Sequence, residues 1–284
     1  MKIIIQVISI VFNLLTPSLL FAIDNDTAPS SSITISTGRD SDNNINRQIQ
    51  LFKELSSYQQ ISAGYGESTS DTSLLNTTQQ FVSIATDPYK TFSIGAEYSF
   101  WGKSRALETR ALKSDLFVNI NEWGFSFSPQ LNVATFYSEN GNSKFDLYSQ
   151  GASFSANYYG LENYFFSANY YINRFSDDPF SLSDQAQKDL VIDRVSESAQ
   201  LLMSGLEKYY TGASLGRFFD WGSVEISWAE SKSAFVEGKN HTTSILLDYE
   251  VNKRLSLNII AARLTSSTDS YSLNSVDIGL TVQW

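Results

Sequence analysis

Apolar and polar residues alternate one for one along most of this chain, which is the two-residue period of a β-strand with one greasy face. From Val276 to Trp284 the even positions are Val276, Ile278, Leu280, Val282 and Trp284, while Asp277, Gly279, Thr281 and Gln283 lie between them. Trp123 to Tyr137 repeats the pattern over a longer span, with Trp123, Phe125, Phe127, Leu131, Val133 and Tyr137 on one side. Comparable runs occupy Phe92 to Phe100, Leu112 to Ile120, Tyr148 to Tyr158, Tyr164 to Ile172, Tyr209 to Phe219, Val224 to Trp228, Ile245 to Tyr249 and Leu255 to Ala261. Two weaker ones, Tyr58 to Gly66 and Gln80 to Thr86, precede them, for about twelve strands in all. Ahead of these, Ser32 to Thr37 has strand character, whereas Ile45, Ile49 and Phe52 recur at helical spacing. Two strands from that stretch would raise the count to fourteen.

Alternation alone does not say which face looks inward, because a soluble sandwich and a membrane barrel both have one apolar face per strand. Three features favour the barrel. Many runs approach the roughly 9 to 11 residues that a tilted strand needs to cross a bilayer. The polar faces are made of small residues, as in Ser149, Gly151, Ser153, Ser155 and Asn157, which suit the inside of a barrel better than a water-washed sheet. Connections also alternate in length. Asn121 to Glu122, Gly160 to Glu162, Asp220 to Gly222 and Val251 to Arg254 are short. Glu67 to Gln79, Glu139 to Ser143, Ser176 to Leu206, Ser231 to Asn240 and Thr265 to Tyr271 are longer. The predicted fold is therefore an all-β, antiparallel, up-and-down transmembrane β-barrel of about 12 strands, with 14 as the alternative.

The chain stops on an aromatic residue that ends a strand. Its last eight residues, Asp277, Ile278, Gly279, Leu280, Thr281, Val282, Gln283 and Trp284, run polar, any, Gly, any, any, apolar, any, aromatic. This octet resembles the C-terminal assembly signature of Gram-negative outer-membrane β-barrel proteins. The resemblance implies recognition by the barrel assembly machinery through the last strand, with Asp277, Gly279, Val282 and Trp284 as the recognised positions. At the other end, Met1-Lys2 precedes an apolar run from Ile3 to Leu15, and Ala22 follows Leu20-Phe21 in the layout of a secretory signal cut after Ala22. The expected organisation is a signal peptide at 1–22, an N-terminal periplasmic segment at 23–55 and an outer-membrane barrel at 56–284.

Composition narrows the chemistry. Without cysteine there is no disulfide, thiolate metal site or thiol nucleophile, and the one histidine, His241, leaves little for a zinc site or a proton relay. A formal net charge of -10 argues against nucleic acid as a partner. Outer-membrane lipid hydrolases place His and Ser two residues apart on one strand face. Here Thr243 shares the face of His241 and Ser244 points the other way, so the chain reads as a non-enzyme with no cofactor. Aromatic residues at strand ends, Trp123, Tyr137, Tyr158, Tyr164, Tyr249 and Trp284, are placed to meet the membrane interfaces and so the outer-membrane lipids.

The candidate functional residues are those whose parity turns them into the barrel: Glu97, Lys113, Asp115, Glu225, Asp248 and Asp277. Five acids against one base would repel anions and mildly favour cations or neutral small solutes if they line water, or be paired and hydrogen-bonded if the interior is closed. Pro129, inside a strand, predicts a bulge or a local end to pairing, and Arg263 has lipid-facing parity tolerable only near the outer rim. The long connection 176–206 has helix-like spacing from Ser183 to Leu206 that suits a mouth cover or a surface loop.

Overall fold

The computed structural model describes residues 31–41, 43–56, 59–69, 76–89, 91–103, 107–137, 144–176, 207–234, 238–267 and 272–284. They form fourteen strands: β1 (Ser31–Asp40), β2 (Ile45–Ser56), β3 (Gln59–Thr69), β4 (Thr77–Tyr89), β5 (Phe92–Lys103), β6 (Leu107–Ile120) and β7 (Trp123–Tyr137), then β8 (Lys144–Leu161), β9 (Tyr164–Phe175), β10 (Glu207–Phe219), β11 (Gly222–Ser233), β12 (Asn240–Asn252), β13 (Leu255–Ser266) and β14 (Ser272–Gln283). Each pairs antiparallel with its sequence neighbours, and β1 pairs with β14 to close the barrel. Closure leaves no bare sheet edge, so wall N–H and C=O groups pair with a neighbouring strand, which hydrocarbon cannot replace. At the seam, backbone bonds between Ser31 and Trp284 of 3.0 and 3.1 Å end the ladder.

The count is fourteen, the alternative to twelve, and the expected periplasmic segment 23–55 is corrected accordingly. From residue 31 onward it supplies the first hairpin of the barrel. The helical spacing of Ile45, Ile49 and Phe52 is incidental. In β2 the outer face reads Ile45, Arg47, Ile49, Leu51, Lys53 and Leu55, with charges at the ends and apolar residues between them. The signal peptide and the helix-like stretch from Ser183 to Leu206 lie outside the described residues.

Strands of 10 to 18 residues are long enough to cross a bilayer at a tilt. At the rim that carries both β-ends of the seam, the connections 57–58, 90–91, 121–122, 162–163, 220–221 and 253–254 are two residues each. Asn121 (φ 54°) and Asn163 (φ 61°) take the left-handed conformation that so tight a turn demands and that asparagine tolerates. The opposite rim carries the longer connections, up to 176–206. Short turns facing the periplasm and long loops facing outward are the habit of outer-membrane barrels. Pro129 ends pairing locally, as its missing N–H requires. The β6–β7 ladder breaks between Lys113↔Gln130 and Leu116↔Phe127 and resumes in the same register, without a bulge.

Candidate functional site

The two faces of the wall differ sharply. Outward side chains are large and apolar: Ile35, Leu51, Val82, Ile84, Leu112, Leu131, Leu215, Ile226, Ile245 and Ile278 are all exposed. At the short-turn rim this belt ends in aromatic rings. Trp123 packs on Tyr158 (centroids 4.7 Å), Phe219 stacks on Trp221 (5.0 Å), Trp221 meets Tyr249 (6.0 Å), and the Arg217 guanidinium lies over Tyr164 and Phe219. This is an interfacial girdle, where amphipathic rings favour the headgroup level. Tyr137, also expected in a girdle, ends β7 at the other rim and donates to Glu108.

The inner face is lined by small polar groups bonded to each other across strands. Hydroxyl pairs link Thr34 to Thr281 (2.8 Å), and Ser62 to Ser83, Ser126 to Ser155, Ser167 to Ser214 and Ser227 to Ser244 (2.6 Å each). Such pairing satisfies wall groups laterally, so they need nothing from the lumen.

All six ionisable residues singled out by parity lie on inward positions, and they fall into three groups. On β5 and β6, Glu97 stands opposite Lys113, whose Nζ is 2.9 Å from the Asp115 carboxylate, and Ser128 donates to Asp115. On β11 and β12, buried Glu225 and half-buried Asp248 are diagonal neighbours with no lysine or arginine beside them in register. On β14, Asp277 is 3 % exposed and faces Gly38 of β1, and two residues along β1 stands Asp40, also buried. Asp40 joins the inward acids only once β1 is part of the wall. The alternation of Ser32 to Thr37 was the signal that could have found it.

Towards the long-loop ends of the strands the lining gains an apolar collar set among polar groups such as Asn46, Ser68 and Thr77. Trp101, Ala134, Phe136, Leu147, Leu264 and Leu273 are inward and buried, with Ala134 beside Leu147 and Leu264 beside Leu273 in register. Alternation does not announce these residues, because an apolar side chain on the inner face, as at Ala134 and Phe136 of β7 or Ile260, Ala262 and Leu264 of β13, leaves an apolar run in place of a two-residue period.

His241 and Ser244 face opposite sides of the wall and do not meet. His241 is outside, stacked on Trp228 (6.2 Å) with Nδ1 3.8 Å from Glu230, while Ser244 bonds to Ser227 within. Glu230 also accepts from Lys239 and Tyr209 (2.8 Å each), and that bond raises Lys239 above the ordinary lysine range. Arg263 is exposed on the outer face three residues from the long-loop end of β13, where a guanidinium reaches the headgroup region.

A closed wall, a lipid-facing belt, an aromatic girdle and a polar interior define an outer-membrane β-barrel of the kind found in porins and channels. No family model matches the sequence, and no curated protein matches it. Solved structures match in fold. The CymD monoaromatic hydrocarbon channel aligns with a TM-score of 0.55 at 8% identity, covering 95% of this chain and 92% of that one. The NanC porin aligns at 0.49 and 9% identity, covering 89% and 100%, and the KdgM porin at 0.46 and 8%, covering 89% and 99%.

Proposed function

We propose that the barrel is a passive pore for small hydrophilic solutes with a weak preference for cations or neutral molecules. The observation that carries this reading is the sign of the inner face: Asp40 joins Glu97, Asp115, Glu225, Asp248 and Asp277, against Lys113 in the same set. Lys113 is already engaged by Asp115, so the net field of these groups on a passing ion is negative. A charged wall of one sign in a narrow, low-dielectric channel concentrates counter-ions and repels co-ions. The apolar collar supports a second reading, a closed barrel that presents its outer loops, since an apolar constriction sheds water and blocks ions. In both readings the chain is exported behind a cleaved signal peptide. It is then recognised by the barrel assembly machinery at Asp277, Gly279, Val282 and Trp284, and sits among outer-membrane lipids.

Single-channel recording in a planar bilayer under a salt gradient tests the choice. The pore reading expects discrete openings with a reversal potential displaced toward the cation equilibrium value. An anion-directed reversal potential would overturn it. A barrel that inserts without conducting would transfer the argument to the closed form.

A further inference from the structure

The seam holds a buried anion that the fold leaves unanswered. Asp277 is 3 % exposed, and neither carboxylate oxygen has a hydrogen-bond partner. Its side chain leans across the seam over Gly38: a Cβ built on Gly38 would lie 1.5 Å from Asp277 Oδ1, so only glycine leaves room for the carboxylate there. Asp40, also inward and buried, is close enough to act electrostatically on Asp277. The local donors are already used. Asn44 gives its backbone N–H to one oxygen of Asp40 (2.9 Å) and its side-chain amide to the other (2.7 Å). The nearest arginine along the strand, Arg39, is on the outer face and bonded to Asn43 (2.7 Å). Lys113 is held by Asp115 on β6.

An ionised carboxylate out of water without a partner is costly, and a second anion beside it makes matters worse. A proton shared between Asp277 and Asp40 would remove one charge and leave the pair buried with the other. A metal cation neutralises both carboxylates and needs no donor from the protein.

We propose that Asp277 of β14 and Asp40 of β1 bind one Ca²⁺ ion across the β1–β14 seam, so that barrel closure is coupled to divalent cation. Calcium suits the site because it takes carboxylate oxygens in irregular geometry and completes its shell with water, whereas Mg²⁺ demands near-octahedral order. Two carboxylates and water place the affinity in the range of weak extracellular calcium modules, with Kd on the order of 10⁻⁴ to 10⁻³ M. The site does not depend on whether the barrel conducts, and with calcium bound the negative field of the proposed pore rests on Glu97, Asp115, Glu225 and Asp248 alone.

The test uses the full barrel in detergent. Equilibrium dialysis with a radioactive calcium tracer should find one ion per barrel, and the temperature at which the folded gel band converts to the unfolded one should rise in millimolar Ca²⁺ relative to EDTA. Asp277→Asn and Asp40→Asn should each weaken binding at least tenfold and abolish the shift. Gly38→Ala, which leaves both carboxylates in the sequence but fills the space between them, should do the same. Should one variant fail to fold, the other two still decide. Wild-type calcium binding by Asp277→Asn would overturn the proposal. So would a wild-type barrel that binds no calcium and is stabilised by Asp277→Asn, the behaviour of a carboxyl group that prefers to be neutral.

Discussion

At the scale of single residues, the interior is shaped by large rings laid against glycines. Phe165 covers Gly216, its direct partner across the β9–β10 ladder, so closely that a Cβ on Gly216 would fall 2.0 Å from the ring. Phe81 covers Gly64 in the same manner across β3 and β4, at 2.1 Å. A ring that covers a glycine buries its area against the wall and projects less far across the lumen than one standing on a side chain. Gly216→Val should therefore lift Phe165 off the wall. The expected cost is about 1–3 kcal/mol, the usual penalty for overpacking, read as a lower urea midpoint for the barrel in liposomes, together with a smaller single-channel conductance. Leu215→Val, one position away on the lipid face, serves as the control and should leave conductance unchanged. Equal conductance in Gly216→Val and wild type would show that Phe165 already occupies the bore.

At the scale of strands, legibility followed the clarity of alternation. β14 reads without ambiguity because Val276, Ile278, Leu280 and Val282 face outward with nothing charged among them. β2 does not, because Arg47 and Lys53 sit on its outer face and Ile45, Ile49 and Phe52 fall at spacings a helix also uses. Those charges lie near strand ends, where reaching the headgroups makes an outward cation cost only about 0–1 kcal/mol instead of the 2–4 expected at mid-bilayer. The same reasoning accounts for Arg263, which the sequence placed correctly. Parity located the inward charges of β5 to β14, while the calcium proposal depends on β1, whose Gly38 and Asp40 carry meaning only once the seam is closed. Removing residues 31–40 would leave thirteen strands with β2 and β14 unpaired, and neither edge can be left bare in lipid. That deletion should yield no heat-resistant folded band on a gel. A folded, detergent-stable barrel from it would show that β2 and β14 can meet directly.

At the scale of the whole molecule, an aromatic girdle, the two-residue turns and the end of the seam all lie at one rim, and short turns are the periplasmic habit of such barrels. Ring contacts of Trp123 with Tyr158 and of Trp221 with Tyr249 mark one interface, and that rim has the two-residue turns and the backbone pairing of Ser31 with Trp284. If this rim faces the periplasm, everything beyond the opposite strand ends faces outward, including Ser267 after β13, whose hydroxyl accepts from the Lys239 backbone N–H (2.8 Å). The chain has no cysteine, so a single introduced thiol reports its own position without background. Ser267→Cys and Asp220→Cys, both at exposed positions on opposite rims, separate the two orientations. In intact cells a membrane-impermeant maleimide should label the Ser267 variant and leave the Asp220 variant unmodified until the outer membrane is opened. The reverse pattern would turn the barrel over. It would put the apolar collar at the periplasmic mouth and the pair Glu225 and Asp248 nearer the cell exterior, so that cations would meet those acids before the collar instead of after it.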